Sequence, residues 1–165
     1  MNKVELHPIG VLRTPFHVLA EMPIQPTSAL SALGRAEIFP QFSPGLQDLA
    51  GFSHLILLYH LHRADREQLQ VTPFLDSVPR GVFATRAPTR PNHLGLSVVE
   101  LKRIEGTTLH LDSLDMLDGT PLIDIKPYVP AFDEPQEVRI GWLEYALGRV
   151  ENVRSDERFS SKTDR

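Results

Sequence analysis

Three stretches of this sequence carry side chains whose types and spacing could do chemistry. The first is FSHLILLYHLHR, residues 52–63. Read as a strand, its alternation sends His54, Ile56, Leu58, His60 and His62 to one face, and Ser53, Leu55, Leu57, Tyr59 and Leu61 to the other. His60 and His62 then form an H-x-H pair, a spacing with which β-barrel metalloenzymes grip a divalent cation; His54 or a later carboxylate could add a third ligand. The same pattern equally describes a buried strand whose histidines cap its polar ends.

The second stretch is FATRAPTRPNHLGLS, residues 83–97. Arg86 and Arg90 lie among Pro88 and Pro91, and proline fixes φ while biasing its predecessor to extended backbone, so this loop is stiff. Gly95 permits a close backbone approach. Guanidinium forks on a stiff loop suit bidentate recognition of a carboxylate or phosphate. The plainer alternative is a proline-rich connection with solvated arginines.

The third is LDSLDMLDGTPLIDIKPYVP, residues 111–130. Asp118-Gly119-Thr120-Pro121 reads as a tight turn. Asp112, Asp115, Asp118 and Asp124 bring carboxylates near it, and Lys126 and Tyr128 alternate along one side of the extended segment that follows. Such aspartates can accept hydrogen bonds from ribose hydroxyls or an ammonium group, and a partly desolvated one can act as a base. Asp118, Asp124, Lys126 and Tyr128 are the candidate catalytic groups. The alternative gives Asp118 to the turn and Asp124 to an ion pair with Lys126 or an arginine.

The elements that position these groups must be short. Fourteen prolines are spread through 165 residues, and an interior proline removes a helical hydrogen bond and clashes with the preceding turn. Strands are expected at Val4–Leu12, Arg35–Ile38, Ser53–His62, Gly81–Thr85, Leu96–Glu105, Thr108–Leu114 and Leu122–Ile125, with turn residues between them. Their spacing predicts a mainly β fold, an antiparallel barrel or strongly curved sheet. Short helical turns are expected at Gly45–Ala50 and Ala64–Gln70, and Gln136–Val150 reads as a strand followed by a short helix. Residues 1–135 form the expected barrel domain and 136–165 a C-terminal extension, whose polar end from 151 should be poorly ordered.

Composition excludes several function classes. There is no cysteine, hence no disulfide, thiol nucleophile or cysteine-based zinc site. No G-x-G-x-x-G, Walker A or G-x-S-x-G motif is present, which removes the commonest dehydrogenase, ATPase and serine-hydrolase readings. The net charge of −4 argues against a general nucleic-acid coat. Residues 80–103 are nevertheless basic (Arg80, Arg86, Arg90, Lys102 and Arg103 against Glu100), and 112–124 hold four aspartates and no basic residue. The N-terminus lacks a signal-peptide core and the longest apolar run, Leu55 to Tyr59, is too short to span a bilayer. A soluble, cytoplasmic protein without membrane contact is expected.

FSHLILLYH, GVFATRAPTRPNHLGLS and SLDMLDGTPLIDIKPYVP, in that order, resemble the TsaA-like (TrmO or YaeB) family of S-adenosylmethionine-dependent tRNA adenine methyltransferases. HPIGVLRTPF and MPIQP match its N-terminal pattern, so the resemblance covers about residues 7–133 and is to the short form of the family. Ile24 stands where the family commonly has arginine, and His93-Leu94 where it commonly has Pro-Ile. The resemblance implies a compact antiparallel β-barrel methyltransferase domain with short helices, assembled as a homodimer. It implies methyl transfer from S-adenosylmethionine to the exocyclic nitrogen of threonylcarbamoyl-adenosine next to the tRNA anticodon. Carried over by motif, the cofactor would touch Gln25, Pro26, Thr27, Ser28, Leu61, His62, Arg86, Leu96, Asp112, Ser113, Leu114 and Asp115. Two other readings remain: a module that binds S-adenosylmethionine without transferring its methyl group, and a metal-dependent barrel enzyme using His60 and His62.

Overall fold

Alternating apolar residues on short strands have one way to bury a single face without leaving sheet edges, which is to close on themselves. The computed structural model, which describes residues 3–19, 32–74 and 76–145, takes that solution. Its strands are β1 (Gly10–Arg13), β2 (Gly34–Ile38), β3 (His54–His60), β4 (Gln70–Val71), β5 (Arg80–Gly81), β6 (Leu94–Glu105), β7 (Thr108–Asp112) and β8 (Thr120–Pro127). Six of them close a barrel in the order β1-β2-β7-β6-β3-β8, with every pairing antiparallel, including the closing pair Gly10–Leu12 against Thr120–Leu122.

Inward side chains fill the barrel. Leu12, Ala36, Leu55, Leu57, Tyr59, Val99, Leu109, Leu111 and Leu122 form one buried cluster with Leu114 and Met116. In β3 the buried residues are Leu55, Leu57 and Tyr59, whereas His54 and His60 are exposed on the outer wall. The register shift between Leu58 and Tyr59 keeps Leu122 inward and sets Asp124 beside Leu58 and Lys126 beside Ile56 on the outer face.

Because all pairings are antiparallel, one mouth of the barrel collects the C-terminal ends of β1, β7 and β3 and the N-terminal ends of β2, β6 and β8. The long connection from β3 to β6, residues 61–93, leaves from this mouth and returns to it. It has its own small core of Val71, Val82 and Ala87 with Phe74, beneath the paired β4 and β5. Thr89 is wholly buried in this connection, and its hydroxyl has no hydrogen-bond partner among the described residues. A buried hydroxyl left unpaired costs roughly 1–3 kcal/mol. Thr89→Val keeps the shape and removes that cost, so its urea midpoint should rise, by about 1 kcal/mol of stability; a fall would show that the hydroxyl is satisfied.

Several local expectations are corrected. The first strand begins at Gly10, not Val4. Residues 45–50 lie across two 3-10 segments, Pro40–Leu46 and Leu49–Gly51. Ala64–Gln70 is not helical, because its backbone is engaged elsewhere: Gln68 N–H donates to Thr89 O (3.1 Å) and Arg66 O contacts His93 Nε2 (3.1 Å). The strand expected at Gly81–Thr85 ends after Gly81 and continues as a 3-10 turn, Val82–Ala84. Gln136–Ile140 forms no strand, and a 3-10 turn follows at Gly141–Tyr145. Residues 146–165 lie outside the described residues. Among the described residues, no helix is long and apolar enough to cross a membrane.

Candidate functional site

The mouth just described gathers most of the residues singled out in the sequence. Its floor is a hydroxyl chain. Ser97, inward on β6, donates to Asp115 Oδ1 at 2.5 Å, and Tyr59, inward on β3, lies 2.9 Å from Ser97 Oγ. A serine has one proton to give, so with that proton on Asp115 the Tyr59 O–H must donate to Ser97. Burial pushes the Asp115 carboxyl up to about 6, against the opposing pull of Ser97 and of the Arg86 charge. Burial, reinforced by the Asp115 charge, also raises Tyr59, which therefore stays protonated. Gly95 makes this chain possible. A Cβ there would lie 2.2 Å from Tyr59 Cε2 and 2.5 Å from its Cζ.

The β7–β8 connection forms one wall. Ser113 has φ +65, an unusual left-handed conformation for a residue with a Cβ, and its N–H donates to Asp112 Oδ1 at 2.6 Å. Asp112 also faces Lys102, at 3.5 Å. Leu114 is fully buried against Gly34, where a Cβ would come within 2.5 Å of its Cδ1. Asp118 fastens this connection to β1: its Oδ1 accepts the Thr14 N–H (3.1 Å), and Arg13 Nη1 lies 3.7 Å from Oδ2. Gly119, at φ +77, completes the turn and donates to Leu12 O at 2.9 Å.

The β3–β6 connection forms the other wall, and Arg86 and Arg90 divide the work there. Arg90 turns into the loop and donates from Nη1 to the carbonyls of Thr85 (2.9 Å), Val82 (3.3 Å) and Ala87 (3.4 Å). Arg86 is exposed, and its charge acts on both Asp115 and Tyr59. Leu61 packs partly on the barrel core and donates its N–H to His93 O at 2.8 Å. His93 has φ +44, a left-handed value that a proline ring could not adopt. Leu96, half exposed, lies on the outer side of β6. Burial and the neighbouring Arg63 and His60 charges hold His62 below its ordinary value. Its Nδ1 sits 3.4 Å from Thr120 Oγ1, whose own proton goes to Leu117 O at 2.7 Å.

Leu61, His62, Arg86 and Asp112 to Asp115 thus lie at one mouth of the barrel, whereas Leu96 stands on the outer wall beside Leu58. Gln25, Pro26, Thr27 and Ser28 lie outside the described residues. The four candidate catalytic groups are separated. Asp118 belongs to the site mouth, Asp124 and Lys126 pair with each other at 2.8 Å on the outer wall, and Tyr128 follows β8 at the other end, donating to Glu134 Oε1 at 2.5 Å. Among the described residues, no group of three His, Asp or Glu side chains is arranged to hold a metal ion. Sequence reasoning missed Ser97 and the role of Tyr59. Alternation placed Tyr59 on one face with Leu55 and Leu57, but only the β3–β6 register, with Tyr59 opposite Gly95, brings it to Ser97.

A closed antiparallel barrel with cation, carboxylates and a desolvated hydroxyl chain at one mouth defines a barrel-type ligand-binding protein, outside the Rossmann class. Residues 11–134 match the model of the tRNA-methyltransferase O N-terminal domain. The chain belongs to that family. It is 51% identical to a probable S-adenosyl-L-methionine-binding protein of Pyrococcus abyssi, covering 93% of this chain and 84% of that one. It is 35% identical to a mouse tRNA (adenine(37)-N6)-methyltransferase over 81% of this chain and 32% of the mouse protein. Among solved structures, TrmO from Pseudomonas aeruginosa superposes with a TM-score of 0.72 at 40% identity, covering 86% of this chain and 63% of that one. The chain therefore spans under two thirds of that TrmO and about a third of the mouse protein.

Proposed function

We propose that this chain is an S-adenosylmethionine-dependent tRNA methyltransferase that modifies the exocyclic nitrogen of an adenine beside the anticodon, with threonylcarbamoyl-adenosine as the preferred form. The observation that carries the reading is the Arg86 charge acting on the buried Asp115 at one mouth, with Asp112 ending β7 three residues before it. S-adenosylmethionine bears a carboxylate, an ammonium group and ribose hydroxyls, and this donor set fits them: a guanidinium for the first, carboxylates for the others. The names borne by the relatives from Pyrococcus abyssi and mouse point the same way.

When bound, the cofactor supplies an electrophilic methyl group carried on a sulfonium. Arg86 would anchor its carboxylate, while Asp112 and Asp115 would accept hydrogen bonds from its hydroxyl and ammonium groups. Leu61 and Leu96 offer apolar surface, Leu114 supports the pocket from within the core, and Ser113 and the segment Gln25, Pro26, Thr27 and Ser28 complete the set implied by the family resemblance. Burial and the neighbouring Arg63 and His60 charges disfavour protonation of His62, which suits a pocket for a cationic cofactor. Because methyl transfer is an in-line displacement, these residues act chiefly by alignment. The acceptor nitrogen loses a proton, and Asp118 is the candidate base that lies at this mouth. The same reading places the protein in the cytoplasm as a homodimer, which would cover exposed apolar side chains such as Val4, Leu6 and Phe132.

Calorimetric titration with S-adenosylmethionine, followed by transfer of labelled methyl to unfractionated tRNA, tests this. Arg86→Ala should weaken cofactor binding by about tenfold or more, as loss of a charge-assisted hydrogen bond implies; unchanged affinity removes Arg86 from the site. Binding without transfer would mark a cofactor-binding module instead. Mass spectrometry of the nucleosides reads whether the methylated adenosine carries a threonylcarbamoyl group.

A further inference from the structure

The 3-10 turn Val82–Ala84 carries a feature that the cofactor site does not use. Val82 is buried in the small core of the connection, and this forces the next side chain, Phe83, outward, where it is 74% exposed. An exposed phenylalanine on a flexible tip would need no explanation, but this one stands on a clamped turn. Arg90 grips the carbonyls of Val82 and Thr85, and its guanidinium lies 6.0 Å from the centroid of the Phe83 ring. From the other side, Trp142 Nε1 donates to Ala84 O at 2.8 Å, and Arg80 lies 5.7 Å from the Trp142 ring. Arg80 is itself fixed by Asp76, through Nε at 2.9 Å and Nη2 at 2.7 Å. The turn is also next to the site, since Arg86, three residues on, acts on Asp115.

An aromatic face held out on a rigid base, beside fixed guanidinium groups in a basic stretch, has the chemistry of a stacking platform for an unpaired nucleobase. The ring offers a π-face that any base can use, and the arginines supply positive charge for the neighbouring phosphates. We propose that Phe83, backed by Arg90, stacks on an unpaired base flanking the target adenine in the loop of a single-stranded or hairpin RNA. The proposal rests on the tRNA reading above and says where on this chain the RNA docks.

The test is fluorescence anisotropy with a labelled anticodon stem-loop RNA, comparing the full chain with its Phe83→Ala and Phe83→Tyr variants. Base–aromatic stacking is worth roughly 1–3 kcal/mol, so Phe83→Ala should weaken binding by about tenfold. Phe83→Tyr should bind like the wild type. As no charge is removed, the slope of affinity against salt should stay the same in Phe83→Ala, and S-adenosylmethionine affinity should not move. Wild-type binding that Phe83→Ala leaves intact overturns the platform and spares the tRNA reading. A wild type that binds no RNA overturns both. If Phe83→Ala instead abolishes self-association seen by light scattering while RNA binding persists, the ring belongs to a contact between copies and the proposal falls.

Discussion

Asp115→Asn should make the protein more stable above neutral pH and less able to bind its cofactor. Burial holds the Asp115 carboxyl at about 6, well above the range of an exposed aspartate. The folded state therefore binds its proton more tightly than the unfolded chain does, and stability must fall as pH rises between the two pKa values. With the group neutral, below about pH 4, no penalty exists. The penalty grows through pH 6 and is then constant, on the order of a few kcal/mol. Asparagine keeps an oxygen for the Ser97 hydroxyl and carries no charge to desolvate. Urea unfolding at pH 8 should thus favour Asp115→Asn by a few kcal/mol, and at pH 4 the two proteins should coincide. Other carboxylates titrate in both proteins and cancel in the difference. Cofactor affinity should move the opposite way, falling at least tenfold through the loss of charge-assisted hydrogen bonds. A stability difference that does not change with pH would mean that the carboxyl is solvated.

The second large effect is expected at Gly95. An added Cβ would lie 2.2 Å from the Tyr59 ring, far inside contact distance, and the ring is buried with little room to retreat. Gly95→Ala must push Tyr59 out of register with Ser97, costing about 1–3 kcal/mol by overpacking and disordering the hydroxyl chain that fixes Asp115. Cofactor binding should fall with stability. A double-mutant cycle identifies the cause: Tyr59→Leu removes the obstructing ring, so Gly95→Ala should cost much less in that background, with a coupling of about 1 kcal/mol or more. Strict additivity would show that the strain is taken up by the backbone of β6.

What could be read from residues alone followed range. Period-two alternation in FSHLILLYHLHR grouped Leu55, Leu57 and Tyr59 on one face, because a strand's pleat is local, and the barrel buries that face. The barrel class and the acidic turn at Asp118-Gly119 were legible for the same reason. The loop of residues 61–93 was not. Its shape depends on Arg90 gathering carbonyls of Val82, Thr85 and Ala87, and on Gln68 meeting Thr89. Those bonds defeat both the helix expected at Ala64–Gln70 and the strand expected at Gly81–Thr85. Arg86 and Arg90 looked equivalent by spacing and differ entirely in use. Ser97 carried no signal, since an inward serine on a strand declares itself only once a tyrosine and an aspartate are brought to it.

The closing seam of the barrel, Gly10–Leu12 against Thr120–Leu122, also determines how the chain must be made. On a ribosome, β1 emerges first and meets its second neighbour last. Meanwhile β2 waits for β7 and β3 waits for β6, so the early nascent chain holds no more than a two-stranded ribbon, marginal by itself. Leu12, Leu55 and Leu57 stay exposed until β8 has been translated. Folding is then a late, cooperative event dominated by distant pairings, slow by the usual relation between topology and rate. A polypeptide released before Thr120 would hold at most an open five-stranded sheet, β1-β2-β7-β6-β3, whose two free edges and uncovered apolar face are targets for chaperones and proteases.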